Sequence, residues 1–253
     1  MAFQRIWRCL RSSRPAPRIR DGEKKLGNFS RTDVGYDVTQ VKEEVARQYI
    51  LGRPGTGQKF LDVGARDGQL TYLLGINGNL EYVESEYRKN KAAFAEKYQY
   101  FGLDLQPSDD PSVLTGDICT TEFASNHPTF GGFFDVIYSN NVFEHLRRPW
   151  IAASNLMQML KPNGICVTIT PFSLRYHECP GDYFRYTAPG LISLFEDAGN
   201  IKVHVGGYDI TGRRNNWQGG GEANDICPVD HFGAWRENWF TVVIIEKTGP
   251  GIT

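Results

Sequence analysis

FLDVGARDGQL, Phe60 to Leu70, decides the fold. Four mostly apolar residues end on Gly64, a short loop follows, and Leu70 opens an apolar-periodic stretch. That is a buried strand, a tight turn and a helix, the unit from which parallel α/β sheets are built. An acidic residue, Asp62, stands two positions before the first glycine.

The same alternation runs outward on both sides. Upstream, Asp37 to Ile50 reads as a helix, with Asp37 and Gln40 spaced as a capping box and Val41, Val45 and Tyr49 at helical period. Downstream, a helix over about Asp67 to Leu74 and a polar helix over Glu81 to Tyr98 precede a second strand, YFGLDL (Tyr100 to Leu105). VLTGDI (Val113 to Ile118) is the third strand, and GFFDVIYSN (Gly132 to Asn140), a nearly continuous apolar run, is a strand buried on both faces. A helix opening at Pro149, the strand ICVTITP (Ile165 to Pro171), a helix from Thr187 to Ala198, and the strands IKVHVGGY and WFTVVIIE complete the series. The expected fold is α/β, a doubly wound and mostly parallel sheet whose ligands sit beyond the carboxyl ends of its strands.

Composition sets the outer bounds. The chain has 253 residues, 40% hydrophobic and 23% charged, with net charge −1. That is one globular domain with decorations, and not a default polyanion binder. Five scattered cysteines argue against a disulfide framework and for a reducing, cytoplasmic compartment. No apolar run reaches the ~18 residues a membrane span needs. Residues 1–35 read as a flexible basic tail, rich in arginine and without an acid in its first twenty positions. Two other readings of that tail are weak contact with an anionic membrane surface and a mitochondrial transit peptide. Residues 36–253 form the domain, with 209–238 as an insertion or lid between the last two strands. That insertion carries Trp217, Trp235, Arg213, Arg214 and three consecutive glycines from Gly219.

The ligand follows by elimination. A dinucleotide loop needs glycine at its first, third and sixth positions, and here the third is Arg66 and the sixth Gln69. A P-loop needs Gly-Lys-Ser/Thr, which is absent. What remains is Asp62, Gly64 and Gly68, then Asp104 at the end of the second strand and Asp117 at the end of the third. Asp104 suits two ribose hydroxyls, Asp117 an exocyclic amine, and Asp62 a cationic amino group. An adenosyl compound with a zwitterionic head and no phosphate, such as S-adenosylmethionine, meets those demands.

FLDVGARDG, YFGLDLQP, VLTGDI, FDVIYSNNVFEHL, LKPNGICVTITP and DYFRYTAPGLISLFEDAGN stand in the order and spacing of class I S-adenosylmethionine-dependent methyltransferases. The chain resembles their type 11 group over about residues 58 to 205 and the final strand. The resemblance implies a Rossmann-like seven-stranded sheet with an antiparallel last strand and helices on both faces. It implies Asp62, Gly64, Arg66 and Gly68 around the methionine end and Asp104 on the ribose. Asp117 and Ile118 would flank adenine, with Ser139 and Asn140 beneath the cofactor. Arg66 replaces the usual central glycine. A second register would make LEYVESEY the second strand and Glu84 the ribose acid.

Candidates for acceptor chemistry lie beyond the fourth and fifth strands: Glu144 and His145, then His177, Asp182, Tyr183, Arg185 and Tyr186. His177 and His145 are the natural proton acceptors near neutral pH, and Asp182 serves either catalysis or an ion pair with Arg185. No metal site is expected. Some quinone-directed relatives bind a metal through an acid-x-x-Glu-His set, whose first acid is here Asn141. His177, Cys179, Cys227 and His231 match no usual zinc spacing. The expected reaction is O-methylation of a small molecule or glycan. Nucleic acid is disfavoured because the domain lacks a basic stripe and Asn/Asp-Pro-Pro-Tyr after the fourth strand. The competing readings are a nucleic-acid or protein methyltransferase and a non-catalytic binding protein of this fold.

Overall fold

The computed structural model describes residues 37–38, 41–66, 68–77, 81–174, 176–177, 180–209 and 239–249. The arginines of the amino-terminal tail, Cys179, Cys227, His231 and the insertion from 210 to 238 lie outside these residues.

The strands are β1 (Asp37–Val38), β2 (Gln58–Val63), β3 (Tyr98–Asp104), β4 (Val113–Thr115), β5 (Phe134–Asn140), β6 (Leu160–Ser173), β7 (Ile201–Asp209) and β8 (Trp239–Lys247). The helices are α1 (Lys42–Gly52), α2 (Thr71–Gly75), α3 (Glu84–Lys97), α4 (Phe123–Asn126), α5 (Pro149–Met159) and α6 (Ala188–Glu196). One sheet runs β1-β7-β8-β6-β5-β2-β3-β4. Among the described strands only β8 is antiparallel, paired with β6 and β7. The seven strands and the reversed last strand are as expected, and the two-residue β1 extends the edge beside β7.

Both faces of the sheet are covered. On one face α1, α2 and α3 bury Val45, Ile50, Leu73, Leu74 and Phe94 against Phe60, Val136 and Val167. Phe60 and Phe94 meet edge to face with centroids 4.9 Å apart. On the other, α4, α5 and α6 bury Phe123, Leu156, Leu191 and Phe195 against Leu61, Leu103 and Ile137. Each such side chain contributes about 1.5–3 kcal/mol by leaving water, so residues 60 and 61, on opposite faces, lock β2 at the centre.

Several expected boundaries change, among them the strand read as Val113 to Ile118, which ends at Thr115 and leaves Asp117 past the strand end. The helix read from Asp37 begins at Lys42, because Asp37–Val38 pairs in parallel with Tyr208–Asp209. Its cap is tertiary: Lys42 N–H donates to the Asp209 carboxylate at 2.9 Å, and Val41, at the cap position, has no side-chain acceptor. The helix read from Asp67 begins at Thr71, since Leu70 takes a left-handed φ of 52° that interrupts helical geometry. Glu84 opens α3 rather than closing a strand, while β3 pairs with β2 along its length. The register with Glu84 as the ribose acid is therefore excluded. Among the described residues no helix is long and apolar enough to cross a membrane.

Candidate active site

The loop after β2 is held open by backbone geometry. Gly64 has φ +79°, and a Cβ there would collide with Val142 Cγ2. Its N–H donates to Leu103 C=O at 2.8 Å, docking the loop on the end of β3. Arg66, at the position where the family usually has glycine, takes φ +54°, the left-handed course a glycine would supply. Gly68 follows with φ +70°. The backbone path thus survives the substitution, with Gly64 and Arg66 both solvent-exposed.

Asp104 ends β3 next to this loop. Its Oδ2 accepts the Arg66 N–H at 2.8 Å and its Oδ1 the Gln106 N–H at 2.9 Å. Two main-chain donors fix the carboxylate, and an ionised carboxylate has about four acceptor sites, so capacity for ribose hydroxyls remains. Asp117 is exposed beyond β4, and its Oδ1 accepts the Cys119 N–H at 2.8 Å. Ile118 packs its side chain into the core, and its carbonyl accepts from Asn155 at 2.8 Å. Asn155 also bonds Thr120 C=O and Ala124 N–H, tying α5 to the loop that carries Asp117.

Behind the loop, Asp62 is buried and accepts the Tyr100 hydroxyl at 3.1 Å. Ser139 Oγ, Asn140 Oδ1 and Glu43 Oε2 are buried acceptors without a hydrogen bond among the described residues. Burial, then Glu43, then Asp62 push the Tyr138 hydroxyl pKa well above its ordinary value, so both acids lie close to it. Glu43, whose other carboxylate oxygen pairs with Lys42 Nζ at 2.7 Å, and Asp62 thus stand together on one face of the sheet, and two such carboxylates suit the cationic ammonium end of S-adenosylmethionine. Glu43, in the first turn of α1, was not singled out from the sequence: a glutamate in a polar helix start carries no signal of burial.

The second half of the site lies beyond β5 and β6. Phe143 to His145 form a 3₁₀ turn after β5, and His177 and residues 180–186 follow β6. The loop folds back onto the turn: Glu144 C=O accepts the Tyr183 N–H at 2.7 Å and the Phe184 N–H at 3.3 Å. Tyr186 adds a hydroxyl bond to Phe143 C=O at 3.2 Å. His145, His177 and Asp182, predicted separately, thereby come together, and Glu144 joins them.

The imidazoles of His145 and His177 meet edge to face at 5.0 Å. Asp182 Oδ2 accepts the His177 N–H at 2.7 Å and lies 3.3 Å from His177 Nδ1. Arg185 grips the same carboxylate with both terminal nitrogens. Burial pushes the Asp182 pKa up, but Arg185 and the His177 amide outweigh it and hold the carboxyl below its usual range. Burial pushes the His145 pKa down, with His177 adding to the fall. Glu144 is fully buried and its pKa rises to about 7, chiefly from desolvation, against the Thr170 hydroxyl donating at 2.9 Å. An imidazole whose pKa is lowered, an anchored carboxylate and a carboxyl raised to about 7 are thus gathered beyond β5 and β6, the kind of perturbed groups from which functional sites are built.

The fold and this site define an α/β protein with a glycine loop, strand-end acids and a cluster of titratable groups at the carboxyl ends of its parallel strands. Residues 38–229 match the model of the methyltransferase domain family, and the chain belongs to that family. It is an S-adenosylmethionine-dependent methyltransferase. Among solved structures it is similar to the YcgJ protein of Bacillus subtilis. The TM-score is 0.52 at 11% identity, covering 83% of this chain and 99% of that one. It is also similar to a complex of the Haloferax volcanii Trm112 methyltransferase activator with a protein assigned as a methyltransferase. That match has a TM-score of 0.50 at 16% identity, covering 84% and 94%. At such identities the likeness is one of fold. No curated protein matches the chain.

Proposed function

We propose that the methyl acceptor is a hydroxyl group of a small molecule or glycan, activated by the cluster around His177. The observation that carries this reading is the His177–Asp182–Arg185 chain, brought beside His145 and Glu144 at the strand ends. When bound, S-adenosylmethionine supplies a sulfonium methyl group, transferred by in-line displacement with a thioether as leaving group. The chain's residues do the rest. Asp104 holds the sugar end, Asp62 and Glu43 with the loop of Gly64, Arg66 and Gly68 hold the methionine end, and Ser139 and Asn140 lie beneath the cofactor. His177 takes the hydroxyl proton, oriented by Asp182 as a carboxylate orients an imidazole in hydrolytic triads. Arg185 keeps that carboxylate charged. An acceptor hydroxyl must lose its proton in the reaction, and a carboxylate-backed imidazole such as His177 can receive it, which favours oxygen.

The test is methyl transfer from labelled donor to panels of purified sugars, glycans and small hydroxy compounds. We expect label in an ether or ester of a hydroxyl compound. His177→Ala should lower turnover with cofactor affinity intact. Transfer only to nitrogen, or unaltered turnover in the variant on the true acceptor, overturns the reading.

A further inference from the structure

Glu144, His145 and His177 each offer a ligand atom within 4.8 Å of the other two. Behind each stands a second group. His145 Nδ1 meets Gly181 C=O at 2.5 Å, which selects the tautomer with its lone pair on Nε2. That Nε2 lies 3.6 Å from Glu144 Oε1. His177 Nδ1 lies 3.3 Å from Asp182 Oδ2, so Nε2 is the ligand atom of that ring. Glu144 Oε2 takes the Thr170 hydroxyl hydrogen, and Oε1 is buried with no hydrogen bond among the described residues. A carbonyl, a carboxylate and a hydroxyl thus back the three ligands. Metal-binding histidines need such partners, which fix the ring and raise its basicity.

We propose that Glu144, His145 and His177 bind one divalent transition-metal ion, with zinc the best match. Two imidazoles and one carboxylate suit zinc, and three protein ligands leave a further position open. Bonds of roughly 2.0–2.1 Å set tetrahedral ligand atoms about 3.4 Å apart, close to the 3.6 Å between His145 Nε2 and Glu144 Oε1. His177 closes the set by a small movement from the open side, where its side chain is 35% exposed. Magnesium, which demands oxygen ligands, is a poor match. The third ligand comes from the loop after β6, not from residue 141, which is asparagine.

Ion binding itself does not depend on the acceptor reading. Only the ion's role rests on that reading: it would acidify a coordinated acceptor hydroxyl, whose proton would pass to bulk water, and His177 would serve as a ligand in place of the base.

The test uses the full, tag-free chain stripped with chelator. Zn²⁺ is titrated against a chromophoric chelator, and Co²⁺ serves as the visible probe. We expect one ion per chain and a Co²⁺ spectrum of low coordination number. His177→Gln and Glu144→Gln should each weaken uptake at least tenfold. His204→Gln, at a histidine paired with Glu246 on the sheet edge, should leave it unchanged. Should a variant not fold, Co²⁺ on the unaltered chain still decides: paramagnetic broadening must strike the His145 and His177 ring signals before that of His204. No uptake, equal uptake in His177→Gln, or broadening centred elsewhere overturns the site. Methyl transfer by a chain that takes up no ion would sink the metal site and spare the proposed function. Ion binding without hydroxyl methylation would do the reverse.

Discussion

The two halves of the cleft are built differently. On the β2–β4 side, Asp104 and Asp117 are fixed by main-chain N–H groups close by in the fold, and the loop lies open to solvent. On the β5–β6 side, the groups are more buried, their proton affinities are displaced, and they are joined across 36 residues by His145 and Gly181. The contrast teaches a division of labour. Holding a flexible zwitterion takes pre-aimed acceptors, whereas moving a proton takes groups whose charge state is poised by desolvation.

The largest expected effect breaks the acceptor half alone. His177→Ala should lower turnover by about 10²–10⁴-fold, the usual worth of a positioned proton acceptor, while calorimetry shows unchanged S-adenosylmethionine binding. Loss of both together would erase the contrast.

Next comes the pH dependence of stability. The Glu144 pKa is raised from 4.5 to about 7 in the folded chain, so the native state holds the extra proton across that window. Stability must fall as pH rises through it. Glu144→Gln lacks this penalty, so relative to the parent it should gain roughly 2–3 kcal/mol between pH 4.5 and 7. His145, with its pKa lowered from 6.5, works oppositely but is present in both chains. Urea melts across that range measure the difference, and parallel curves would mean Glu144 is not desolvated.

On the cofactor half, Asp104→Ala should weaken S-adenosylmethionine binding at least tenfold, about 1.4 kcal/mol, by calorimetry. The smallest effect is Arg66→Gly. The residue already follows a glycine's backbone path, so affinity should shift by no more than about threefold, while stability rises by a few tenths to about 1 kcal/mol from relieved left-handed strain. A large loss would show that the arginine side chain, not its backbone, serves the cofactor.

Much of the cofactor half was legible in the sequence, because its parts are local. A strand ending on glycine and an acid ending the next strand meet once those two strands pair, as β2 and β3 do along their length. Boundaries failed where distant residues intervened. The start of α1 depends on Asp209, 167 residues away, and the burial of Glu43 and Asn155 depends on which helix faces they occupy. The acceptor half was legible only as separate names. Nothing in FEHL or in HECPGDYFRY states that Glu144 C=O will receive the Tyr183 amide.

The sequence alone determined the alternation of strands and helices, the glycine loop and the acid that ends β3, since periodicity and turn chemistry act over a few residues. Only the tertiary structure decided that Glu144, His145, His177 and Asp182 come together, with Glu144 fully buried. Proton affinity depends on burial and on charges a few ångströms away in space, and chain spacing does not encode those distances.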